Sequence, residues 1–134
     1  MKLPMKTLVV CYSKTGNAKI VAKAVTKELG CDCCELTYDE AGKTISGAVE
    51  PSGYERVILV CPIWAFEPAE PMKLYLCEYG KTIKKYSLIV TYSLFGLRSC
   101  INFCVKAIGS QPDKSVKIKG KNATAGAFDI KGIL

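Results

Sequence analysis

The chain of 134 residues contains no histidine. This absence excludes Ser-His-Asp and Cys-His nucleophilic chemistry, and histidine-based acid–base catalysis, from the residues of this chain. Long apolar runs are also absent, since none approaches the roughly 18–20 residues of a membrane-spanning helix. The first apolar run, residues 7–12, is too short for the core of an export signal. We therefore expect a protein of the cytoplasm with no membrane partner.

Acidic residues are scarce in the second half of the chain. Residues 73–134 carry 11 basic and 3 acidic side chains, whereas residues 1–72 carry 8 basic and 9 acidic ones. A basic surface attracts nucleic acid or an acidic partner. The basic residues are not interleaved with aromatic ones, however, and several have the spacing of a strand rim: Lys114, Lys117, Lys119 and Lys121. We interpret this charge as a solvated face and expect no nucleic-acid partner.

Cysteine, by contrast, is abundant, with eight residues. Without an export signal, this content favours reduced thiols over a disulfide framework. Cys11 and Cys61 lie in apolar, strand-like runs, where they are expected to pack as small hydrophobic residues. Zinc-ribbon spacing is absent, so we predict no metal site. Ordinary thiols remain the favoured interpretation for two further groups, namely Cys31, Cys33 and Cys34, and the i, i+4 pair Cys100 and Cys104.

Continuous apolar runs alternate along the chain with segments of helical spacing. The runs predict strands that are buried on both faces, whereas polar and apolar residues alternate over 31–38 and 115–119 and predict a more exposed strand and an edge strand. Apolar spacings of three and four predict helices. Residues 39–53 are broken by glycine and proline and predict a long loop or a single turn. The pattern predicts one α/β domain over residues 1–134 with a doubly wound, five-stranded parallel sheet. Predicted strands cover 7–12, 31–38, 56–62, 86–93 and 115–119, and predicted helices cover about 17–29, 71–79 and 98–108, with a non-helical tail at 120–134.

The first predicted strand ends in a short loop that opens directly into a helix. Such a loop directs backbone N–H groups and the positive end of the helix dipole at one point, which makes an anion site. The hydroxyl groups of Ser13 and Thr15 add hydrogen-bond donors, and Gly16 lets the backbone approach a ligand closely. A βα turn that binds no phosphate is the alternative interpretation.

This loop resembles the phosphate loop of flavodoxins, which has the form (Ser/Thr)-x-Thr-Gly-x-Thr. Ser13, Thr15 and Gly16 match, whereas Ala18 stands where the family usually has a third hydroxyl residue. In that family the loop binds the phosphate of flavin mononucleotide (FMN). The missing hydroxyl removes one hydrogen bond, worth about 1–2 kcal/mol if it is charge-assisted.

Two more loops follow the third and fourth predicted strands and carry aromatic residues. Loops that leave neighbouring parallel strands meet at one edge of the sheet, where aromatic side chains suit a flat ring. Core or rim packing is the alternative role for each aromatic residue. We assign no catalytic residue and no metal ligand. The candidate FMN-binding residues are Ser13, Lys14, Thr15, Gly16, Asn17 and Ala18, then Pro62, Ile63, Trp64, Ala65 and Phe66, then Thr91, Tyr92, Ser93, Phe95 and Gly96.

The second loop extends the resemblance. Residues 61–65, Cys-Pro-Ile-Trp-Ala, and residues 68–73, Pro-Ala-Glu-Pro-Met-Lys, are similar to the flavodoxin-like pattern Pro-(Ile/Val)-(Trp/Tyr)-Ala-Gly-x-x-Ala-Pro-Pro. The resemblance covers residues 6–119 and implies the strand order 2-1-3-4-5. This chain departs from the family in its last helix, which is predicted to be missing or very short. One edge of the sheet would then need cover from the tail or from a second chain, so a homodimer is a hypothesis.

The resemblance implies an FMN-binding electron-transfer protein, or a small flavin-dependent oxidoreductase linked to quinone or NAD(P)H. Its partner is then a redox protein or a small-molecule electron acceptor. Ala18 and Phe66, which replaces a family glycine, support an alternative: a flavodoxin fold that has lost FMN and acts as a binding module. A low-molecular-weight phosphatase is excluded, because Cys-x5-Arg counted from Cys11 reaches Asn17.

Overall fold

The computed structural model describes residues 6–14, 16–64, 67–92, 97–126 and 128–133, except for the side chains of Trp64, Leu97 and Thr124. In chain order, the strands are β1 (Thr7–Cys11), β2 (Asp32–Glu35), β3 (Thr37–Asp39), β4 (Thr44–Ser46), β5 (Arg56–Trp64), β6 (Glu67–Pro68), β7 (Tyr86–Tyr92) and β8 (Ser115–Lys119). The helices are α1 (Asn17–Leu29), α2 (Glu70–Tyr79), α3 (Leu97–Ile108) and α4 (Gly120–Thr124), with 3-10 turns at Pro51–Gly53 and Gly80–Thr82.

Five parallel strands form the central sheet in the order β2-β1-β5-β7-β8. Counted along the chain, this is the predicted order 2-1-3-4-5, so the predicted fold class is confirmed. Every residue of β1 is buried, as its continuous apolar run indicates. Its side chains alternate between two cores: Leu8 and Val10 pack with α2 and α3, whereas Val9 and Cys11 pack with α1.

The carboxyl-terminal tail covers the α1 side of the sheet. Ala123 and Ile133 are fully buried there, and Phe128 and Ile130 pack against the same core. Arg56 fixes the tail by donating from Nη1 to the Ile133 carbonyl oxygen at 3.3 Å. The tail therefore covers one face of the sheet, whereas the expectation from the sequence concerned an edge. Its helix, α4, is only 5 residues long, in agreement with the prediction of a very short last helix.

The segment after β2 differs from the prediction. Instead of one strand over 31–38 and a loop over 39–53, β2 ends at Glu35 and an antiparallel hairpin of β3 and β4 follows. The break lies at Leu36, whose side chain is buried while its N–H donates to the Cys11 carbonyl oxygen at 2.9 Å. Tyr38 and Ile45 are opposite each other in the hairpin, where apolar and polar residues alternate in both strands.

The prediction that Pro62 ends its strand is wrong. β5 continues to Trp64, and Pro62 lies opposite Thr91 in the ladder with β7. Proline has no N–H to donate, but its carbonyl oxygen accepts from the Ala69 N–H at 2.9 Å, where β6 folds back onto β5. Ile63 and Trp64 extend β5 beyond Pro62, and this extension is stabilised by pairing with β6, which begins at Glu67.

Glycines end the predicted helices for two different reasons. Gly30 and Gly109 have φ angles of 61° and 98°, as expected for left-handed residues after a helix. Gly80 instead lies where a Cβ atom would stand 2.7 Å from the Ala107 carbonyl oxygen, so close packing against the end of α3 requires glycine there.

Within the described part of the chain, the helices are too short and too polar to cross a membrane.

Candidate functional site

The carboxyl-terminal ends of β1, β5 and β7 meet at one edge of the sheet. The ladders run up to Cys11 opposite Val60, and to Pro62 opposite Thr91. The chain turns in opposite directions from β1 and β5, because β2 lies on one side of β1 and β7 lies on the far side of β5. Ligands of doubly wound sheets bind at such a switch point. The three strands that precede the predicted loops therefore end at the same edge of the sheet.

The first loop folds tightly around the start of α1. Gly16 is the N-cap with φ 97° and ψ −12°, a left-handed conformation that favours glycine. Its N–H donates to the Ser13 hydroxyl oxygen at 2.9 Å, which holds Ser13 beside the helix N-terminus. No side chain caps the helix and no acidic residue lies in its first turn, so its positive dipole end is not neutralised by its own residues. Thr15 lies outside the described residues.

Two neighbours of this loop point away from its centre. Ala18 is 1 % exposed and packs in the α1 core, so only its backbone can contribute to a ligand site. The position where the flavodoxin family usually has a hydroxyl is thus used for packing. Lys14 is exposed and pairs with Glu40 at 3.3 Å, which ties the first loop to the β3–β4 hairpin.

Asn17 brings the first loop, β7 and the carboxyl-terminal segment together. It lines a cavity of about 290 Å³ with Tyr92, Lys119, Gly120 and Lys121. A Cβ atom on Gly120 would stand 2.7 Å from Asn17 Nδ2 and 3.8 Å from the Tyr92 carbonyl oxygen, so only glycine allows this approach. The two lysines make the cavity basic. Lys119, Gly120 and Lys121 were missed as site residues, although the sequence had predicted that the strand before them leaves the same edge.

The second predicted segment is strand, not loop, over Pro62, Ile63 and Trp64. Ile63 and Trp64 pair with Pro68 and Glu67 of β6, so the chain reverses between Trp64 and Glu67. Ala65 and Phe66 lie outside the described residues, as does the Trp64 side chain.

The return of this hairpin is fixed to α2 by charge. Glu67 accepts from Lys73 Nζ at 2.8 Å, and this carboxylate raises the pKa of Lys73. Lys73 also lies 3.8 Å from Glu70 and above the ring of Phe103 of α3, at 5.6 Å from its centroid. The Lys73 side chain is three-quarters buried, and its salt bridge holds Glu67 at the start of β6.

The third predicted segment begins at the end of β7. Thr91 is buried and Tyr92 is half-buried at the edge of the cavity described above. Ser93, Phe95 and Gly96 lie outside the described residues. α3 follows at Leu97 and carries no acidic residue in its first turn. Two helix N-termini without acidic residues, those of α1 and α3, therefore follow the two strands that flank β5.

Aromatic residues that the sequence did not single out border the first loop. Tyr12 directly follows β1, and its ring meets that of Tyr38 edge to face, with centroids 6.2 Å apart. The Tyr38 ring belongs to the unpredicted hairpin, which explains why it was missed. Desolvation, with smaller contributions from Glu70 and Glu40, raises the pKa of Tyr38. The site edge is thus flanked by one aromatic pair in addition to the predicted residues.

Three thiols lie beneath this edge. Cys61 of β5 is in hydrogen-bond contact with Cys100 and Cys104 of α3, and these contacts, together with burial, raise the pKa of Cys61. The predicted core position of Cys11 and Cys61 is confirmed, and Cys100 and Cys104 are buried in hydrogen-bond contact with each other. Among the residues that the structure describes, no group of three or more His, Cys, Asp or Glu side chains has the geometry of a metal site.

Solved structures share this architecture. A flavoprotein from Lactobacillus acidophilus NCFM, crystallised in complex with FMN, superposes with a TM-score of 0.71 at 16% identity, over 85% of this chain and 93% of that chain. The chain has the flavodoxin-like fold. A flavodoxin from the domain Archaea matches with a TM-score of 0.56 at 16% identity, over 94% of this chain and 96% of that one. An azoreductase from Bacillus anthracis matches with a TM-score of 0.58 at 15% identity, over 92% of this chain and 95% of that one.

At the level of sequence, no protein-family model and no curated protein matches this chain. The flavodoxin-like relationship therefore rests on the fold and on the loops at the switch point. The aligned regions cover 85–94% of this chain and 93–96% of each of these neighbours.

Proposed function

We propose that this chain binds FMN non-covalently at the carboxyl-terminal edge of its sheet and uses it for electron transfer. The observation that carries the proposal is the loop between β1 and α1. There, the Ser13 hydroxyl group is held beside the start of α1 by the Gly16 N–H, and this helix start has no side-chain cap and lies at the switch position of the sheet. A solved neighbour with the same fold is described as a complex with FMN.

The residues present fit the phosphate of this cofactor. The Ser13 hydroxyl group accepts from Gly16 and still has its own proton to donate to a phosphate oxygen. A Cβ atom on Gly16 would meet no atom within 4 Å, so the space in front of this residue is open. The first turn of α1 adds backbone donors and a positive potential. Because the Gly16 N–H is donated to Ser13, the Ser13 hydroxyl group and the backbone amides of Asn17 and Ala18 would hold the phosphate, with the hydroxyl of Thr15 as the predicted further donor.

The ring of the cofactor needs flat, apolar surfaces and edge hydrogen bonds. We assign the surfaces to Trp64, Tyr92 and Phe95, and the edge hydrogen bonds to backbone groups of residues 62–66. When bound, FMN supplies the capacity to accept and donate electrons, and the protein contributes orientation, exclusion of water and nearby charge. Lys119 and Lys121 add positive charge next to Tyr92, which favours a negatively charged form of the bound group.

FMN binding is tested by titrating the purified apoprotein with FMN and following the quenching of flavin fluorescence. Riboflavin, which lacks the phosphate, is the matched ligand and is expected to bind at least about a hundredfold more weakly, because it forgoes several charge-assisted hydrogen bonds. Binding of both ligands with equal affinity would contradict the phosphate assignment. No quenching with either ligand would support the alternative, a flavodoxin fold that acts as a binding module without FMN.

The first prediction concerns Ser13. Ser13→Ala removes a hydroxyl donor to the phosphate and the acceptor of the Gly16 N–H, and is expected to weaken FMN binding about tenfold. Ser52→Ala is the matched control, because Ser52 is an exposed serine in the Pro51–Gly53 turn whose hydroxyl donates only to Glu50, at 3.0 Å. Equal FMN affinity of the two variants would show that Ser13 does not touch the phosphate.

The choice between an electron carrier and a small oxidoreductase needs a separate assay. We infer an acceptor that is either a redox protein or a small molecule such as a quinone. Steady oxidation of NAD(P)H in the presence of a quinone by the FMN-loaded protein identifies an oxidoreductase. An FMN-loaded protein that is reduced by dithionite and reoxidised by a protein acceptor, but does not turn over NAD(P)H, identifies a carrier.

A further inference from the structure

A second cavity, of about 380 Å³, lies at the β2 edge of the sheet beside α1. It shares no lining residue with the cavity at Asn17 and Tyr92, and its volume falls in the range of small-molecule sites. One strand and one helix contribute its described lining residues, which are Lys23, Thr26, Lys27, Cys33 and Glu35. A nucleophilic side chain and two cations thus share one open concavity.

Cys33 differs from its neighbouring cysteines in where its thiol lies. Alternation along β2 puts Cys33 on the α1 side of the sheet and Cys34 on the other side. Cys34 is buried, with its Sγ 3.2 Å from the Gly47 carbonyl oxygen and 3.3 Å from the Val49 nitrogen. Cys33 is exposed and lines the cavity, so a dissolved reagent can reach it.

The surroundings of Cys33 favour its thiolate. The Thr26 hydroxyl group also lies beside Cys33, but it donates its proton to the Ala22 carbonyl oxygen at 2.7 Å. The buried Cys11 thiol is in hydrogen-bond contact with Cys33 and Lys23 adds a favourable charge, whereas burial and Glu35 act in the opposite direction. Together they lower the pKa of Cys33 to about 6. Glu35 is itself paired with Lys19 at 3.9 Å, which leaves Lys23 and Lys27 as the net charge of the cavity.

We propose that Cys33 is a thiol-modification site that exchanges with an anionic low-molecular-weight disulfide, whose carboxylates pair with Lys23 and Lys27. The Cys33 thiolate attacks one sulfur of the disulfide. A bond forms between Cys33 Sγ and that sulfur, the original S–S bond breaks, and the other half leaves as a thiolate that takes a proton from water. The incoming disulfide is the oxidant, so the step needs no other electron acceptor, and it does not depend on FMN binding.

The register of the sheet indicates that this mixed disulfide persists. Cys33 lies opposite Val9, so Cys11 is two residues further along the neighbouring strand. Strand spacing and rise separate such a diagonal pair by about 8 Å between Cα atoms, which is too far for a disulfide bond without movement of the backbone. Cys11 is therefore placed to donate a hydrogen bond to the Cys33 thiolate, and not to displace the adduct.

The reaction is tested on the full chain with glutathione disulfide, a reagent of this class, at pH 6 and at pH 8. Intact mass and peptide mapping follow the adduct, and Cys77, an exposed cysteine on α2, is the comparison within the same chain. At pH 6 we expect the adduct on Cys33 to form about tenfold faster than an adduct on Cys77. This factor combines the larger thiolate fraction with the lower nucleophilicity of a more acidic thiol. Equal rates at the two cysteines would overturn the proposal. So would a protein mass lower by two hydrogens without an adduct, because this mass indicates a disulfide bond within the chain.

The role of the Lys23 and Lys27 charges is tested with disulfides of different charge and with a double variant. Lys23→Gln with Lys27→Gln is expected to slow the reaction with glutathione disulfide at least fivefold relative to neutral hydroxyethyl disulfide, and to speed the reaction with cationic cystamine. Lys84→Gln with Lys131→Gln is the control of equal net charge, because both lysines are exposed and neither lines the cavity. The same response of both double variants would refute a role for the cavity. Circular dichroism of each variant verifies that the fold is retained.

Discussion

Tyr75 of α2 contributes a buried hydroxyl group that anchors the loop after β4. Its side chain is fully buried, and its hydroxyl group donates to the Val49 carbonyl oxygen at 2.6 Å. Tyr75→Phe leaves that oxygen without its partner, and we expect a loss of about 1–2 kcal/mol in the free energy of unfolding, measured by urea denaturation. Tyr54→Phe is the matched control, because the Tyr54 hydroxyl group donates to Asp32 at 2.7 Å on the exposed surface. Equal losses in the two variants would contradict the reasoning from burial.

Buried phenols and thiols also set the response to alkaline pH. Burial raises the pKa of Tyr75 and Tyr86, and hydrogen-bond contacts with Cys100 and Cys104, together with burial, raise the pKa of Cys61. A group with a raised pKa in the folded state stabilises the protein fully below its unfolded value, and this stabilisation is lost as the pH rises towards the folded value. The free energy of unfolding is therefore expected to fall from about pH 8.5 upwards for the thiol and from about pH 10 for the phenols. Tyr86→Phe should reduce the slope above about pH 10, and an unchanged slope would count against this assignment.

At the scale of secondary-structure elements, packing of the α2 and α3 ends depends on Gly80. A Cβ atom at this position would stand 2.7 Å from the Ala107 carbonyl oxygen and 3.1 Å from its carbonyl carbon. Because both atoms are backbone, relief requires one helix to move. Gly80→Ala is expected to cost about 1–3 kcal/mol of stability. Gly53→Ala, where a Cβ atom meets nothing within 4 Å, should change stability by less than about 0.5 kcal/mol in the same thermal or urea denaturation experiment.

Elements whose own residues carry a clear apolar pattern were predictable, whereas elements that depend on pairing with another strand were not. The sequence predicted α1 over residues 17–29 from its apolar face, and the structure has the helix at Asn17–Leu29. The β3–β4 hairpin and the extension of β5 through Pro62 depend on strands that pair with them, which local spacing does not reveal. For the same reason the candidate loop between β1 and α1 was predicted from its own residues, whereas Tyr38 and Lys119 lie at the candidate site because of the hairpin and β8.

At the scale of the whole molecule, part of the basic charge of residues 73–134 lies on one edge strand of the sheet, β8. β8 is the last strand of the sheet, and the side chains of Lys117 and Lys119 on it are exposed. Lysines on an edge strand oppose pairing with the edge of another sheet. The tail meanwhile covers the α1 face, and the homodimer stays a hypothesis. Light scattering of the purified chain measures the oligomeric state directly.

The tail is expected to be essential for stability because it closes one of the two cores. Ile133 is fully buried against the α1 side of the sheet, although it lies beyond the last strand and in a segment with little regular structure. Ile133→Ala is expected to lower the free energy of unfolding by about 2–5 kcal/mol, the range for truncating a buried isoleucine. Ile20→Ala is the matched control, because Ile20 on α1 is 39 % exposed and its truncation leaves no cavity. If both variants unfold at the wild-type urea concentration, the tail does not close the core in solution, and the α1 face becomes available to a second chain.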